Sequence, residues 1–149
     1  FAGGISSGPE VLSNVIQYIT MTTFGNATDF GDLTVARRNL AGFSSSTRGV
    51  FGGGFTPSPS VTQYNTIDYI TIASTGNATD FGDLTQARSD FGGASTKTRG
   101  TFICGRTPSV QNTIDYVTIA STGNATDFGD AVTARVGNTT SSNSHGGLA

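Results

Sequence analysis

A tandem repeat dominates this chain and constrains its fold more than any other feature. Residues 65–84 return almost unchanged at 112–131, and a looser copy runs over 14–33. The offsets between copies are 51 and 47 residues, and the difference falls within 56–64, where two prolines indicate a loop insertion. A second repeated block is found at Arg48–Gly54 and Arg99–Gly105. We therefore expect one repeat domain of three units, approximately 1–47, 48–98 and 99–149.

The residue pattern within each unit is typical of short β-strands. Alternation in 66–72 places Ile67 and Tyr69 on one face of a strand, and Asp68 and Ile70 on the other. Residues 74–77 predict a tight turn, because Gly and Asn tolerate positive φ, and 80–84 predict the next strand. No segment has a sustained helical spacing of apolar residues. The sequence therefore predicts an all-β chain.

A β-rich period of about 40 to 50 residues is the length of one propeller blade. Glycines, tyrosines, aromatic residues and arginines recur in a fixed order that resembles the kelch repeat, with Phe where kelch repeats have Trp. These residues are Gly52, Gly53, Gly54, Tyr18, Tyr69, Tyr116, Phe30, Phe81, Phe128, Arg37, Arg88 and Arg135. The third copy departs from this pattern with Ile103-Cys104-Gly105. The resemblance implies kelch-like β-propeller blades over essentially the whole chain.

Three blades are too few for a ring, because propellers typically have about four to eight. We expect either a homodimer with six blades or a longer repetitive chain. The missing initiator Met indicates a processed product or part of something longer. Residues 1–4 and 146–149 look like two parts of one strand region, so we expect the chain ends to meet each other or those of neighbouring chains.

Composition excludes several classes of partner. Charged residues make up only 12% of the chain, the net charge is −2, and the seven arginines are scattered, which argues against nucleic-acid binding. No apolar run approaches the roughly 18 residues of a membrane span. The single cysteine excludes an intrachain disulfide, and no Cys/His spacing indicates zinc. We predict no cofactor.

Paired aspartates are the candidate metal ligands, since carboxylates three residues apart after a Gly-Asn turn could bind Ca²⁺. The pairs are Asp29 and Asp32, Asp80 and Asp83, and Asp127 and Asp130. The spacing is not that of an EF-hand. We favour the alternative in which these carboxylates accept hydrogen bonds from turn backbone N–H groups.

Arg37, Arg88 and Arg135 each follow the second aspartate of a pair by five residues. They could form a ring of anion-binding groups around a channel. We favour a structural role, in which each guanidinium binds an aspartate or strand-end carbonyls in its own or the next unit.

Catalysis has little support in the sequence. His145 is the only histidine and lies in the Gly/Ser-rich tail, while Cys104 lies in an apolar segment typical of a small buried thiol. No third group suggests a triad with them. We therefore predict that the protein is not an enzyme.

The phrase shared by 70–83 and 117–130 is also similar to repeats in predicted virion proteins of tailed phages of aquatic bacteria. This resemblance implies a structural component of a virion or extracellular assembly, with self-association or neighbouring virion proteins as partners.

The alternative is a carbohydrate- or receptor-binding module that recognises a surface glycan through the loops 56–64 and 107–111. Tyr64 is its candidate sugar-stacking residue, although Gln111 stands in the equivalent place. Asn26, Asn77, Asn124 and Asn138 also fit glycosylation acceptors.

Overall fold

Short antiparallel strands form the whole fold in the computed structural model, which describes residues 1–6, 11–57 and 59–142. These residues contain no helix, which confirms the all-β prediction. The strands are β1 Val15–Tyr18, β2 Thr28–Asp32, β3 Ala41–Ser44, β4 Arg48–Gly52, β5 Phe55–Thr56, β6 Thr62–Gln63, β7 Thr66–Thr71, β8 Thr79–Asp83, β9 Gly92–Ser95, β10 Arg99–Ile103, β11 Arg106–Thr107, β12 Ser109–Val110, β13 Thr113–Thr118 and β14 Thr126–Asp130.

Two four-stranded sheets have the same antiparallel architecture. One has the order β3-β4-β7-β8 and the other β9-β10-β13-β14. Each sheet therefore follows the chain order, apart from a two-stranded hairpin, β5-β6 or β11-β12, between its second and third strands. The sheets begin at Ala41 and Gly92, one strand before the unit boundaries drawn from the sequence. The predicted loop insertion lies in the β5-β6 hairpin.

The first repeat contributes a smaller sheet of β1 and β2, which an isolated bridge between Ala2 and Ile16 extends. The strand pairs β1-β2, β7-β8 and β13-β14 share one irregularity. In each pair the register shifts directly after an isoleucine, at Ile16, Ile67 and Ile114. The described residues form antiparallel sheets side by side and no closed barrel or propeller.

The hydrophobic core is divided between neighbouring repeats. A larger cluster lies between the second and third repeats and includes Ile67, Phe81, Phe102 and Val117. A smaller cluster lies between the first and second repeats, where Ile70 packs with residues that include Ile16, Phe30 and Leu33. The predicted faces of β7 are thus confirmed, because Ile67 faces one neighbour and Ile70 the other. A single repeat could not bury either cluster alone.

Hydroxyl side chains close the tight turns within each sheet. Between β3 and β4, Ser45 Oγ accepts hydrogen bonds from Thr47 N and Arg48 N at 3.2 Å each. Thr96 Oγ1 does the same for Arg99 N at 3.1 Å in the turn between β9 and β10. These turns place the first two strands of each sheet side by side.

Candidate functional site

Contacts between consecutive repeats recur with the same geometry, and we call each such contact a seam. In the first seam, the turn 76–78 of the second repeat lies along β2 of the first. Gly76 N donates a hydrogen bond to Phe30 O at 2.7 Å, and Ala78 N donates to Asp32 O at 2.8 Å. Asn77 Oδ1 accepts from Asp32 N at 3.1 Å. The outer edge of β2 is therefore covered by the next repeat, which protects it from unwanted pairing.

The second seam repeats these bonds between β8 and the turn 123–125. Gly123 N donates to Phe81 O, and Ala125 N donates to Asp83 O, both at 2.7 Å. Asn124 Oδ1 accepts from Asp83 N at 3.0 Å. The turn that the sequence predicts within one repeat thus also binds the preceding repeat.

Glycine is required on the strand side of both seams. Gly31 and Gly82 have φ of 145° and 140°, a region that side chains rarely adopt. A Cβ atom at Gly31 would overlap the backbone of Gly76, and one at Gly82 would overlap the backbone of Gly123. The repeated Phe-Gly-Asp sequence therefore lets two backbones approach closely.

A buried ion pair lies behind the first seam. Arg37 Nη1 is 2.9 Å from Asp68 Oδ2, and both side chains have 0% exposure. Arg37 Nε also donates to Gly53 O at 2.7 Å, and Thr34 Oγ1 donates to Asp68 Oδ1 at 2.7 Å. Asp68 thus connects the second repeat to two residues of the first. Buried charges persist only with such partners.

The second seam has the equivalent ion pair, Arg88 Nη2 to Asp115 Oδ2 at 3.0 Å, again fully buried. Thr85 Oγ1 donates to Asp115 Oδ1 at 2.6 Å. Arg88 Nη2 also reaches Phe102 O at 3.2 Å, while Nε and Nη1 have no hydrogen-bond partner among the described residues. Burial lowers the pKa of Arg88, against the opposing attraction of Asp115. This second guanidinium is less completely satisfied than the first.

The repeat tyrosines pack edge-on against the repeat phenylalanines in all three units. Ring centroids are 6.0, 5.8 and 5.9 Å apart at interplanar angles of 88°, 80° and 81°. The pairs are Tyr18 with Phe30, Tyr69 with Phe81, and Tyr116 with Phe128. Edge-to-face pairs of this kind add about 0.5–1.5 kcal/mol beyond the area they bury.

Two further arginines cover two of these tyrosines, Tyr69 and Tyr116. The guanidinium carbons of Arg48 and Arg99 lie 4.5 and 4.6 Å from the ring centroids of Tyr69 and Tyr116. Arg48 Nη1 also donates to Ile119 O at 2.9 Å, across the second seam. These arginines therefore stabilise the repeats by cation–π contacts, and Arg99 is at the same time exposed to solvent.

The first strands of the two large sheets, β3 and β9, also lie against each other. Ser95 Oγ donates to Ser44 O at 2.8 Å, and Asp90 N donates to Asn39 O at 3.0 Å. The next equivalent bond runs from Gly137 N to Asp90 O at 2.8 Å. Asn39, Asp90 and Gly137 all have φ near 60°. The segment that follows β14 therefore starts in the same way as the segments that lead into β3 and β9.

The first two glycines of the triplet, Gly52 and Gly53, lie where the two four-stranded sheets meet. A Cβ atom at Gly52 would overlap the ring of Phe102, and one at Gly53 would overlap Phe91. Gly53 has φ of 58°, and its counterpart Cys104 has φ of 65° and is 2% exposed. Cys104 is thus a buried residue in a conformation that favours glycine.

The third repeat differs from the other two because its outer face is open. Phe128 is 55% exposed, whereas Phe30 and Phe81 are 8% and 3% exposed. Arg135 is exposed, in contrast to the buried Arg37 and Arg88. The structure therefore places two of the three repeat arginines in seams and the third on a surface.

The paired aspartates lie on exposed or partly exposed parts of β2, β8 and β14. Asp80 Oδ1 accepts from Gly82 N at 3.3 Å, and Asp127 Oδ1 accepts from Gly129 N at 3.0 Å. Among the described residues, no group of three His, Cys, Asp or Glu side chains is arranged to hold a metal ion.

Tyr64 is half-buried, and its backbone links two elements. Tyr64 N donates to Gly54 O at 2.9 Å, and Tyr64 O accepts from Arg88 N at 3.2 Å. His145 and the end segment 146–149 lie outside the described residues.

The main seam residues that sequence reasoning missed are Asp68, Asp115 and the acceptor role of Asn77 and Asn124. The carboxylates that the sequence singles out as candidate ligands are the paired aspartates, which lie on the strand edge. One available signal was that Asp68 and Asp115 stand between apolar and aromatic residues at equivalent places of the strand motif. A polar residue repeated at such a place predicts a buried partner.

No protein-family model matches this sequence, and no curated protein is significantly similar to it. Within the part of the chain that the structure describes, no helix is long and apolar enough to cross a membrane.

Proposed function

We propose that this chain is a non-enzymatic structural component of a phage virion or other extracellular assembly, built from kelch-like propeller blades. The observation that carries the proposal is the repetition of one seam, with the same backbone bonds and the same buried ion pair, between successive repeats. Such a unit adds copies without any new kind of contact.

The up-and-down order of the four-stranded sheets supports the blade interpretation. A propeller blade is a four-stranded antiparallel sheet, and blades pack around a central axis. The contact between β3 and β9 supports the same arrangement, because the first strands of adjacent sheets touch. The kelch resemblance adds the order of glycine, tyrosine, aromatic residue and arginine.

The charged side chains that could take part in catalysis make structural contacts instead, which supports a role other than catalysis. Arg37, Asp68, Arg88 and Asp115 are buried and paired with one another. Arg48 and Arg99 lie over tyrosine rings. A location in a virion or outside the cell rests on the similarity of the repeated phrase to phage virion repeats.

Electron microscopy of the purified protein tests this proposal. We expect rings or filaments with a regular subunit, and a particle mass that is a multiple of 15.2 kDa by light scattering. Uniform single-copy particles at all concentrations would contradict the structural role.

A second candidate function, glycan or receptor binding, is supported by two equivalent clefts lined by hydroxyl groups. One lies at Tyr69, Ser74, Thr75, Asn77 and Thr79, and the other at Tyr116, Ser121, Thr122, Asn124 and Thr126. These clefts lie at other loops than those predicted from the sequence. A glycan array tests this function, which predicts binding that is lost when the hydroxyl pairs of both clefts are removed together, in Ser74→Ala/Thr75→Ala/Ser121→Ala/Thr122→Ala. An array without a hit would exclude the glycan-binding version of this candidate.

A further inference from the structure

We propose that two copies of this chain join head to tail through a third seam, in which the turn 25–27 of one copy lies along residues 128–130 of the other. The proposal rests on the proposed structural function and names its partner as a second copy of the chain. An interface of this kind is heterologous, so it closes into a ring or continues as a filament.

The acceptor side of this seam is the outer edge of β14. Its Thr-Asp-Phe-Gly-Asp sequence is the same as that of β2 and β8, which the internal seams cover. A Cβ atom at Gly129 would meet nothing within 4 Å, whereas Gly31 and Gly82 are both covered by the next repeat. Phe128 is correspondingly 55% exposed. The edge of β14 therefore has the residues of the acceptor side of a seam, but no turn covers it in a single copy.

The donor side is the turn Gly25-Asn26-Ala27, followed by Thr28. The same four residue types occur at 76–79 and 123–126, where they form the internal seams. Ala27 is exposed, whereas Ala78 and Ala125 pack against the two core clusters. One chain thus carries both halves of a seam on opposite ends, and each half is unoccupied among the described residues.

The segment that follows β14 packs against the third sheet in the way that earlier segments pack against the sheets before them. Asn138 Nδ2 donates to Ile103 O at 3.3 Å, and Thr140 Oγ1 donates to Gly93 O at 2.6 Å. Residues 138–140 lie against β9 and β10 as Phe91 and Gly93 lie against Gly53 and Gly42 of the preceding sheet. A second copy docked on β14 therefore continues the same stacking geometry.

The third seam differs from the internal ones in its ion pair. Gln17 occupies the place of Asp68 and Asp115, and Val132 occupies the place of Thr34 and Thr85. Arg135 has no carboxylate partner among the described residues. The amide oxygen of Gln17 can accept from Arg135 but supplies no charge. The third seam is therefore weaker than the internal seams, and association between copies is reversible.

Two variants block the two halves separately. Ala27→Glu places a carboxylate where Ala78 and Ala125 contact apolar cores, and Arg135→Glu reverses the charge that the seam buries. Both residues are exposed in one copy, so both variants should fold. Val61→Glu and Lys97→Glu are matched controls at exposed positions in turns outside the two halves. Circular dichroism and melting temperature verify folding of all four.

Sedimentation velocity over a range of concentrations measures association. We expect the wild type and both controls to associate, and each blocked variant alone to remain a single copy. An equimolar mixture of the two blocked variants should form a one-to-one pair and stop, because each supplies the half that the other lacks. Asn26→Ala, which removes only one hydrogen-bond acceptor, should weaken association by about fivefold. It provides a second test if Ala27→Glu lowers the melting temperature.

The outcomes separate the interface from the function. If the blocked variants and Asn26→Ala associate as the wild type does, the third seam is wrong while a structural assembly through another surface stands. If the blocked variants fail to associate but their mixture also remains single, the head-to-tail arrangement is wrong. If the wild type is a single copy at every concentration, both the proposed function and the seam are overturned, and the exposed halves serve flanking repeats or another protein.

Discussion

At the scale of single residues, the seams depend on charges that are removed from water. Arg37 and Asp68 are both completely buried, and each satisfies the other together with Thr34 and the Gly53 carbonyl. Replacing such a pair by apolar residues could be neutral, but removing one partner leaves the other charge uncompensated. The buried pair therefore fixes which residues face each other across a seam.

Removal of this carboxylate should be strongly destabilising. We expect Asp68→Ala to lower the free energy of unfolding by about 3–5 kcal/mol, because Arg37 would remain buried without its partner. Asp29→Ala, at an exposed position, should change it by less than about 0.5 kcal/mol. Urea denaturation of both variants measures the difference. Equal losses would show that the ion pair does not hold the repeats together.

Two glycines in identical sequence contexts test the close approach of backbones. Gly82 and Gly129 have φ of 140° and 129°, so alanine is conformationally strained at both. Only Gly82 is covered by the next repeat in a single copy. Gly82→Ala should therefore cost about 1–3 kcal/mol more than Gly129→Ala when unfolding is measured at a concentration that keeps copies apart. Similar costs would mean that the seam does not require this approach.

At the scale of elements, the strands follow directly from the sequence. The β-branched alternation in β7 predicts both its existence and its two faces, and the structure confirms both. The seam could not be derived in the same way. Asp68 binds Arg37 from 31 residues earlier, and Asn77 binds Asp32 from 45 residues earlier. The local sequence predicts a turn at Asn77. The hydrogen-bond partner of Asn77 depends on how the two repeats are placed relative to each other.

The β5-β6 hairpin is an element in which the repeats differ without affecting the seams. Residues 57–61 connect β5 to β6, whereas Pro108 alone connects β11 to β12. Deletion of residues 58–61 leaves Pro57 in the place of Pro108. We expect the free energy of unfolding to change by no more than about 1.4 kcal/mol in thermal or urea denaturation, because the entropic cost of closing a loop grows only with the logarithm of its length. A loss of several kcal/mol would show that the longer hairpin stabilises the sheet.

At the scale of the whole molecule, stability comes from contacts between repeats. Both core clusters join residues from neighbouring repeats, and the outer edges of β2 and β8 are covered by the next unit. The period of the sequence predicts this interdependence, since a lone unit has little to bury. It does not predict how the array closes, because closure depends on the two terminal faces.

Restoration of the missing ion pair should strengthen association between copies. Gln17→Asp/Val132→Thr gives the terminal faces the residue types of the internal seams. Charge-assisted hydrogen bonds of about 1.5–3 kcal/mol would lower the dissociation constant by about tenfold or more. Gln86→Asp/Val61→Thr makes the same exchanges outside the terminal faces and should leave it unchanged. Sedimentation equilibrium measures both, and weaker association of the first variant would contradict the pairing of Gln17 with Arg135.

Hydrogen exchange at the amides of Gly25 and Ala27 tests most directly whether one seam builds the whole assembly. The equivalent amides of Gly76 and Ala78 are hydrogen-bonded to β2 and serve as internal standards. We predict that Gly25 and Ala27 exchange rapidly in a single copy and become protected as copies associate, toward the protection of Gly76 and Ala78. Rapid exchange at Gly25 and Ala27 in the fully assembled particle would contradict the repeated seam as the basis of assembly.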